Sequence, residues 1–296
     1  MHFLTKYFTF LDVGTFLTGM MKEAFQAYLA DKNRLFEKHF RLLKQKIKDD
    51  DVHELRVCIK KLRAAYYFLE TQKILKSRDA RYKHEMRHVY KASGNYRDMG
   101  VYLNSTKQFE NVSSSDFSFL KNHLASMKEK LSFQLASSLS NFDFDNQIEF
   151  SGNLLLKING YQSKKIRNGL EKHLNKLRKQ SEKMLITKET QWHELRKIVK
   201  NIYYLYPVAV QKVDNQFMEF IKTVTDKLGY WQDCQAFSDY LTSYVIYHEV
   251  FEFENRLLIN DLVSWLKSQS KAQLKGLKKG LRMELDTIQK IGISKD

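Results

Sequence analysis

Chain-breaking residues are scarce here: one proline, Pro207, and eleven glycines occur in 296 residues. β-Sandwiches and barrels need frequent turns built from Gly, Pro, Asn and Asp, so this scarcity excludes a turn-rich β architecture. A chain heavy in Leu, Lys, Glu and Gln suits helix, and almost no strand is expected. Cysteine is sparse as well. Cys58 and Cys234 alone supply no disulfide framework, and without a convincing export signal they place the protein in a reducing cytoplasm. Long apolar runs are also missing. Residues 1–20 are Phe-rich, but Lys6 and Asp12 interrupt them and no basic start precedes them, so they form neither a good signal peptide nor a membrane span. They are set apart as a leader, and no membrane partner is expected. A phosphate-binding glycine loop, a paired-carboxylate signature and a serine nucleophile elbow are all absent, which argues against an enzyme and against a cofactor.

Acidic charge is short too. Thirty-four Asp and Glu face fifty Lys and Arg, a formal charge of +16, and between Lys157 and Lys200 thirteen basic residues meet only four glutamates. Such a field attracts polyanions, whether nucleic acid, polyphosphate or an acidic membrane surface. Within that stretch Lys165, Lys172, Lys176, Lys179 and Lys183 share one helical side away from Ile166, Leu170, Leu174 and Leu177, and this row reads as a solubility and long-range field feature.

What the chain does contain is an internal repeat. His53-Glu-Leu-Arg-Val-Cys-Ile-Lys-Lys-Leu-Arg63 recurs in register, degraded, as His193-Glu-Leu-Arg-Lys-Ile-Val-Lys-Asn-Ile-Tyr203. On a helix turning about 100° per residue, His53, Arg56, Lys60 and Arg63 fall within an arc of roughly 80°. The adjoining arc carries Leu55, Cys58, Ile59, Leu62, Tyr66 and Leu69. The second copy repeats the division, with His193, Arg196 and Lys200 beside Leu195, Ile198, Val199, Ile202 and Tyr206. Cys58 stands where the second copy has Ile198, which marks it as a hydrophobe. One face packs and its neighbour is a cationic stripe, so two equivalent helices could present two stripes to one anion. Arginine offers a planar fork of donors to phosphate oxygens, and lysine adds a mobile point charge.

Asp51, with Glu54 three residues on, has the layout of a capping box, and Thr190 is the matching cap candidate before the second motif. Both histidines would then lie near the positive end of a helix dipole. Residues 111–118 form a break, the run from Ser137 to Asn153 is the best boundary between halves, and Pro207 should end or kink the second motif helix. Lys271, Lys275, Lys278 and Arg282 share one face of the last helix and are rim candidates.

The run Val52-His53-x-x-Arg56-Val57-x-x-Lys60-Lys61-Leu62-Arg63, followed by Gly94-Asn-Tyr-Arg97-Asp98, resembles the signature of the CHAD family, the conserved histidine α-helical domain. The second half supplies companion motifs, His193-x-x-Arg196-Lys197-x-x-Lys200 and Leu228-Gly229-Tyr-Trp-Gln-Asp233. The resemblance covers the chain from about Met21. It implies an all-α domain over 21–296, built from two pseudo-twofold-related helical bundles (repeats at about 21–150 and 154–296), with a basic central groove or pore. It also implies binding of inorganic polyphosphate without catalysis by the domain, a polyphosphate-metabolising protein as a partner, and a location on polyphosphate granules. The ligand set carried over is His53, Arg56, Lys60, Lys61, Arg63, Arg97, His193, Arg196, Lys197 and Lys200, with Lys275, Lys278 and Arg282 at the rim. Asp98 and Asp233 would repel a polyanion and are expected to orient arginine or histidine side chains from behind, or to cap a helix. Asn201, Tyr203 and Gln232 depart from the pattern and predict a weaker second half-site.

Two rival readings differ in kind. Interleaved Tyr and Phe could stack bases, but at helical spacing most read as core, so nucleic acid is expected only as a weaker competitor. His84-Glu85-Met86-Arg87-His88 fits the His-Glu-x-x-His pattern of zinc hydrolases. Against it, a third ligand has no recognisable position and Arg87 would set a positive charge beside the metal.

Overall fold

The computed structural model describes residues 20–76, 80–185, 191–209, 215–248 and 253–292; side chains at 20–21, 80–84, 178, 181–185, 244–248, 253–254 and 278–292 are outside that description. The described chain is all helix, with no strand: α1 (Met20–Gln45), α2 (Asp49–Thr71), α3 (Ala80–Ser113), α4 (Ser118–Ser140), α5 (Phe144–Asn159), α6 (Ser163–Leu185), α7 (Trp192–Ala209), α8 (Asn215–His248) and α9 (Phe253–Gly292). The expected apolar arcs are the buried ones. On α2 they are Leu55, Cys58, Ile59, Leu62, Tyr66 and Leu69; on α7 they are Leu195, Ile198, Val199, Ile202 and Tyr206. Cys58 is a free, buried thiol, and burial pushes its pKa up, in keeping with a hydrophobic role. Pro207 lies inside α7, whose described residues run to Ala209, and it takes the i−4 hydrogen bond away from the turn before it.

The boundary expected across 137–153 is mostly helix. α4 runs to Ser140, residues 141–143 turn, and α5 begins at once. Asp143 caps α5 by accepting from the Asn146 backbone N–H at 3.1 Å, and Gln147, Phe150, Leu154 and Ile158 bury one face at helical spacing. Of the polar small residues there, Ser137, Ser140, Gly152 and Asn153 are exposed on these helices, and Ser138, Asn146 and Ser151 are half-buried. The break at 111–118 is shorter than expected, because α3 continues to Ser113; Ser114 then takes a left-handed φ of 55°.

The chain forms two compact units, and they are not the two sequence halves. The first takes its described residues from the stretches up to Gly94 and from Phe133 to Ile221; the second takes Asn95–Ser132 and residues from Lys222 onward. Each unit therefore draws helices from both halves. In the first unit α1 packs on α2, α6 packs on α7, and the two motif helices α2 and α7 pack on each other. Phe25 meets Phe68 edge-on at 5.3 Å, Tyr66 meets Phe150 at 5.7 Å, and Phe40 stacks on Phe144 at 5.1 Å. Each fully buried Phe contributes roughly 1.5–3 kcal/mol by removal from water, which is what fixes these helices around α2. The second unit has its own core of Phe117, Leu120, Leu124, Phe237, Leu241, Ile259, Leu262 and Leu266. Tyr102 lies flat on Phe237 there, 4.4 Å between centroids.

Candidate functional site

The capping box expected at Asp51 and Glu54 does not form. The N-cap is Lys48, Asp49 to Asp51 lie inside the first turn, and Asp51 Oδ1 is 2.9 Å from Nδ1 of His39 on α1. The three aspartates still set negative charge against the positive end of the helix dipole. His53 follows one turn in and is exposed. α7 starts at Trp192, so His193 lies in its first turn and is also exposed; Thr190 lies outside the described residues. Burial holds the His193 pKa below the ordinary histidine value, Lys197 and Arg196 add to this, and Glu194 opposes it.

Arg56 differs from the rest of its stripe. The helical arc places it with the exposed cations, yet it is only 8% exposed. Its Nη1 donates to the Tyr90 carbonyl at 2.7 Å and to Ser93 Oγ at 3.4 Å, and its Cζ stands 4.4 Å from the Tyr90 ring centroid. Gly94 makes room for this: a Cβ there would be 2.6 Å from Nη1. The His-x-x-Arg and Gly-x-x-Arg-Asp motifs thus meet at one side chain. Arg63, two turns on, is exposed, with Cζ 5.2 Å from the same Tyr90 ring. A guanidinium over an aromatic face gains on the order of 0.5–1 kcal/mol at an exposed site and more when desolvated.

Lys60 and Lys61 are half-buried. Burial lowers the Lys61 pKa first, and Lys32 of α1 lowers it further, so Lys32 brings a second cation close to the first motif. Sequence reading missed Lys32, which itself pairs with Asp31 and sits 5.5 Å from the Tyr28 ring centroid. It also missed Tyr90 and Ser93. The signal was the Tyr90-x-x-x-Gly94 spacing, which puts a ring and a gap on one face of α3. The same spacing recurs in the second unit at Tyr96 and Gly100, where Lys128 Nζ lies 4.8 Å from the Tyr96 ring centroid and 3.4 Å from a Cβ built on Gly100.

On α7, Arg196 and Lys200 are half-buried, and exposed Lys197 pairs with Glu194 at 2.7 Å. An exposed pair of this kind is worth about 0–1 kcal/mol and competes weakly with a polyanion for the lysine. The first unit therefore holds His53, Arg56, Lys60, Lys61, Arg63, His193, Arg196, Lys197 and Lys200. Arg97 belongs to the second unit, where its Nη2 lies 3.4 Å from Asp233 Oδ2 and its Nη1 3.5 Å from Asp98 Oδ1. Both carboxylates thus lie beside Arg97. Lys275 is an exposed residue of the second unit; the Lys278 and Arg282 side chains lie outside the described residues. So does the His84 side chain of the His-Glu-x-x-His segment, and among the described residues no group of three or more His, Cys, Asp or Glu could hold a metal. Among the described residues no helix is long and apolar enough to cross a membrane.

An all-helical fold that joins a His-x-x-Arg helix to a Gly-x-x-Arg-Asp helix through a buried arginine agrees with a sequence match to the CHAD domain over residues 27–242. The chain belongs to the CHAD domain family. Its fold is similar to that of the crystal structure of the CHAD domain from the plant Ricinus communis, with a TM-score of 0.72, 14% identity, and coverage of 90% of this chain and 91% of that one. It is also similar to PptA from Streptomyces chartreusis, with a TM-score of 0.67, 10% identity, and coverage of 88% and 99%. No curated protein matches the chain.

Proposed function

We propose that this protein binds inorganic polyphosphate, without catalysis, through the cationic faces of α2 and α7. The observation that carries the reading is the packing of the two motif helices on each other inside one compact unit, which gathers nine of the candidate residues on one body. Membership of the CHAD family supports the choice of polyanion. The mechanism is electrostatic: each lysine or arginine that meets a phosphate releases counterions, so affinity should fall steeply with salt. In this reading Arg63 forks onto phosphate oxygens, Lys60, Lys61, Lys197 and Lys200 add point charge, and His53 and His193 donate from ring nitrogens. Arg97 and the α9 cations Lys275, Lys278 and Arg282 are further candidate contacts, carried by the second unit. The protein would sense or localise on polyphosphate in the cytoplasm, on granules where these form, and could hold a polyphosphate-metabolising partner there.

Competition between long-chain polyphosphate and single-stranded DNA or RNA of matched total charge tests the reading. Polyphosphate should win at moderate salt, because guanidinium and ammonium groups cluster at short range without a base-stacking platform. Equal or better binding of nucleic acid would overturn the preference and favour the nucleic-acid reading.

A further inference from the structure

We infer that Arg56 is a positioning residue that clamps α2 to α3 and, through Tyr90, sets the orientation of Arg63 toward the anion. The inference rests on polyphosphate binding for its functional half only. Arg56 and Arg63 stand seven residues apart on α2, two turns along one face, and Tyr90 serves both. Arg56 grips the backbone of Tyr90 through its carbonyl at 2.7 Å, which fixes where the ring of that residue starts. The ring then lies 4.4 Å from the Arg56 Cζ and 5.2 Å from that of Arg63. Gly94, one turn beyond Tyr90, leaves the slot into which the Arg56 guanidinium fits, since an added Cβ would come within 2.6 Å of Nη1 and 3.3 Å of Cζ.

The physical division of labour follows from burial. A guanidinium that is 8% exposed, with Nη1 bonded to a carbonyl, can turn that nitrogen to a polyanion only by giving up the bond and leaving its slot. Arg63 is exposed, and a long side chain free in water loses rotamer entropy when it binds; a ring beneath it takes part of that loss beforehand. The equivalent glycine of the second half has no such duty. Gly94 and Gly229 each stand fourteen residues after the first residue of a 34-residue helix, Ala80 and Asn215, yet nothing lies within 4 Å of a Cβ built on Gly229.

The test uses variants of the full chain, beginning with substitutions that keep every charge. Tyr90→Leu and Gly94→Ala should each weaken polyphosphate binding by about threefold to tenfold, while Gly229→Ala leaves it unchanged. In an Arg63→Gln background the Tyr90→Leu loss should vanish, because the side chain it positions is gone; an undiminished loss would overturn the coupling. Arg56→Lys keeps a cation but not the fork, so it should weaken binding as Gly94→Ala does, and wild-type binding would show Arg56 to be a plain charge contact. Thermal unfolding without ligand tests the clamp separately. Arg56→Gln and Gly94→Ala should each lower Tm, with the double variant no worse than the poorer single one, and additive losses would overturn the clamp whether or not polyphosphate binds.

Discussion

His173 on α6 is 5% exposed, with its ring 5.5 Å from that of Tyr67 and 5.7 Å from that of Phe68. Among the described residues its Nε2 finds no hydrogen-bond partner. Burial, then the nearby Lys176, pulls its pKa down to about 4 from 6.5. The folded protein therefore keeps this imidazole neutral where the unfolded chain would protonate it. Its contribution to stability is full above pH 6.5, is lost progressively as pH falls toward 4, and is constant below that. A depression of this size corresponds to on the order of 3 kcal/mol. Chemical unfolding of wild type and His173→Leu at pH 7 and pH 4.5 should show the wild type losing more stability than the variant. Equal losses would mean that carboxylates alone set the acid sensitivity. The same scale explains why Arg56 escaped a reading based on helical arcs. A side chain as long as arginine can leave its arc and reach a neighbouring helix, so its burial depends on what α3 offers, here a glycine slot and a carbonyl.

At the scale of elements, periodicity was informative wherever one helix decided the outcome. Every residue the apolar arcs picked out on α2 and α7 is buried, because a helix that buries one face must repeat at 3.6 residues, and Val52, Phe68, Trp192 and Leu205 are buried beside them. Ends were less legible. Asp51 has the sequence of a cap but spends its carboxylate on His39, a residue of another helix. The run at 137–153 has the composition of a linker but contains α5, because four buried positions at helical spacing outweigh local propensity. The two motif helices also differ in charge: α2 has Lys60, Lys61 and Arg63 where α7 has Lys200, Asn201 and Tyr203. Lys32 adds a cation near Lys61 as well. Lys60→Gln with Arg63→Gln should therefore weaken polyphosphate binding more than Arg196→Gln with Lys200→Gln, by about 1–3 kcal/mol per lost charged contact. Titration calorimetry at fixed salt measures both, and equal losses would show the departures in α7 to be without consequence.

For the whole molecule, class and charge were legible and assembly was not. Scarce breakers and amphipathic spacing gave the all-α class, but the compact units mix both halves of the sequence, since which helices pack together is set by long-range complementarity that no local pattern records. A formal charge of +16 acts over all of it, speeding encounter with any polyanion and losing reach as salt rises. Proton uptake separates that general field from the specific site. His193 is held below the ordinary value of 6.5 in the free protein, chiefly by burial and then by Lys197 and Arg196. A polyphosphate beside it would supply the opposite charge and raise its pKa, so binding should take up protons. Affinity should rise as pH falls from neutrality, continue rising below pH 6.5, and level off under the free-protein pKa. His53→Gln with His193→Gln should flatten that rise while leaving most of the salt dependence, which lysine and arginine carry. Calorimetry in buffers of different ionisation enthalpy counts the protons and cancels the ligand's own titration by comparing the two proteins. An unchanged proton count in the double variant would reduce both histidines to structural groups at the helix starts.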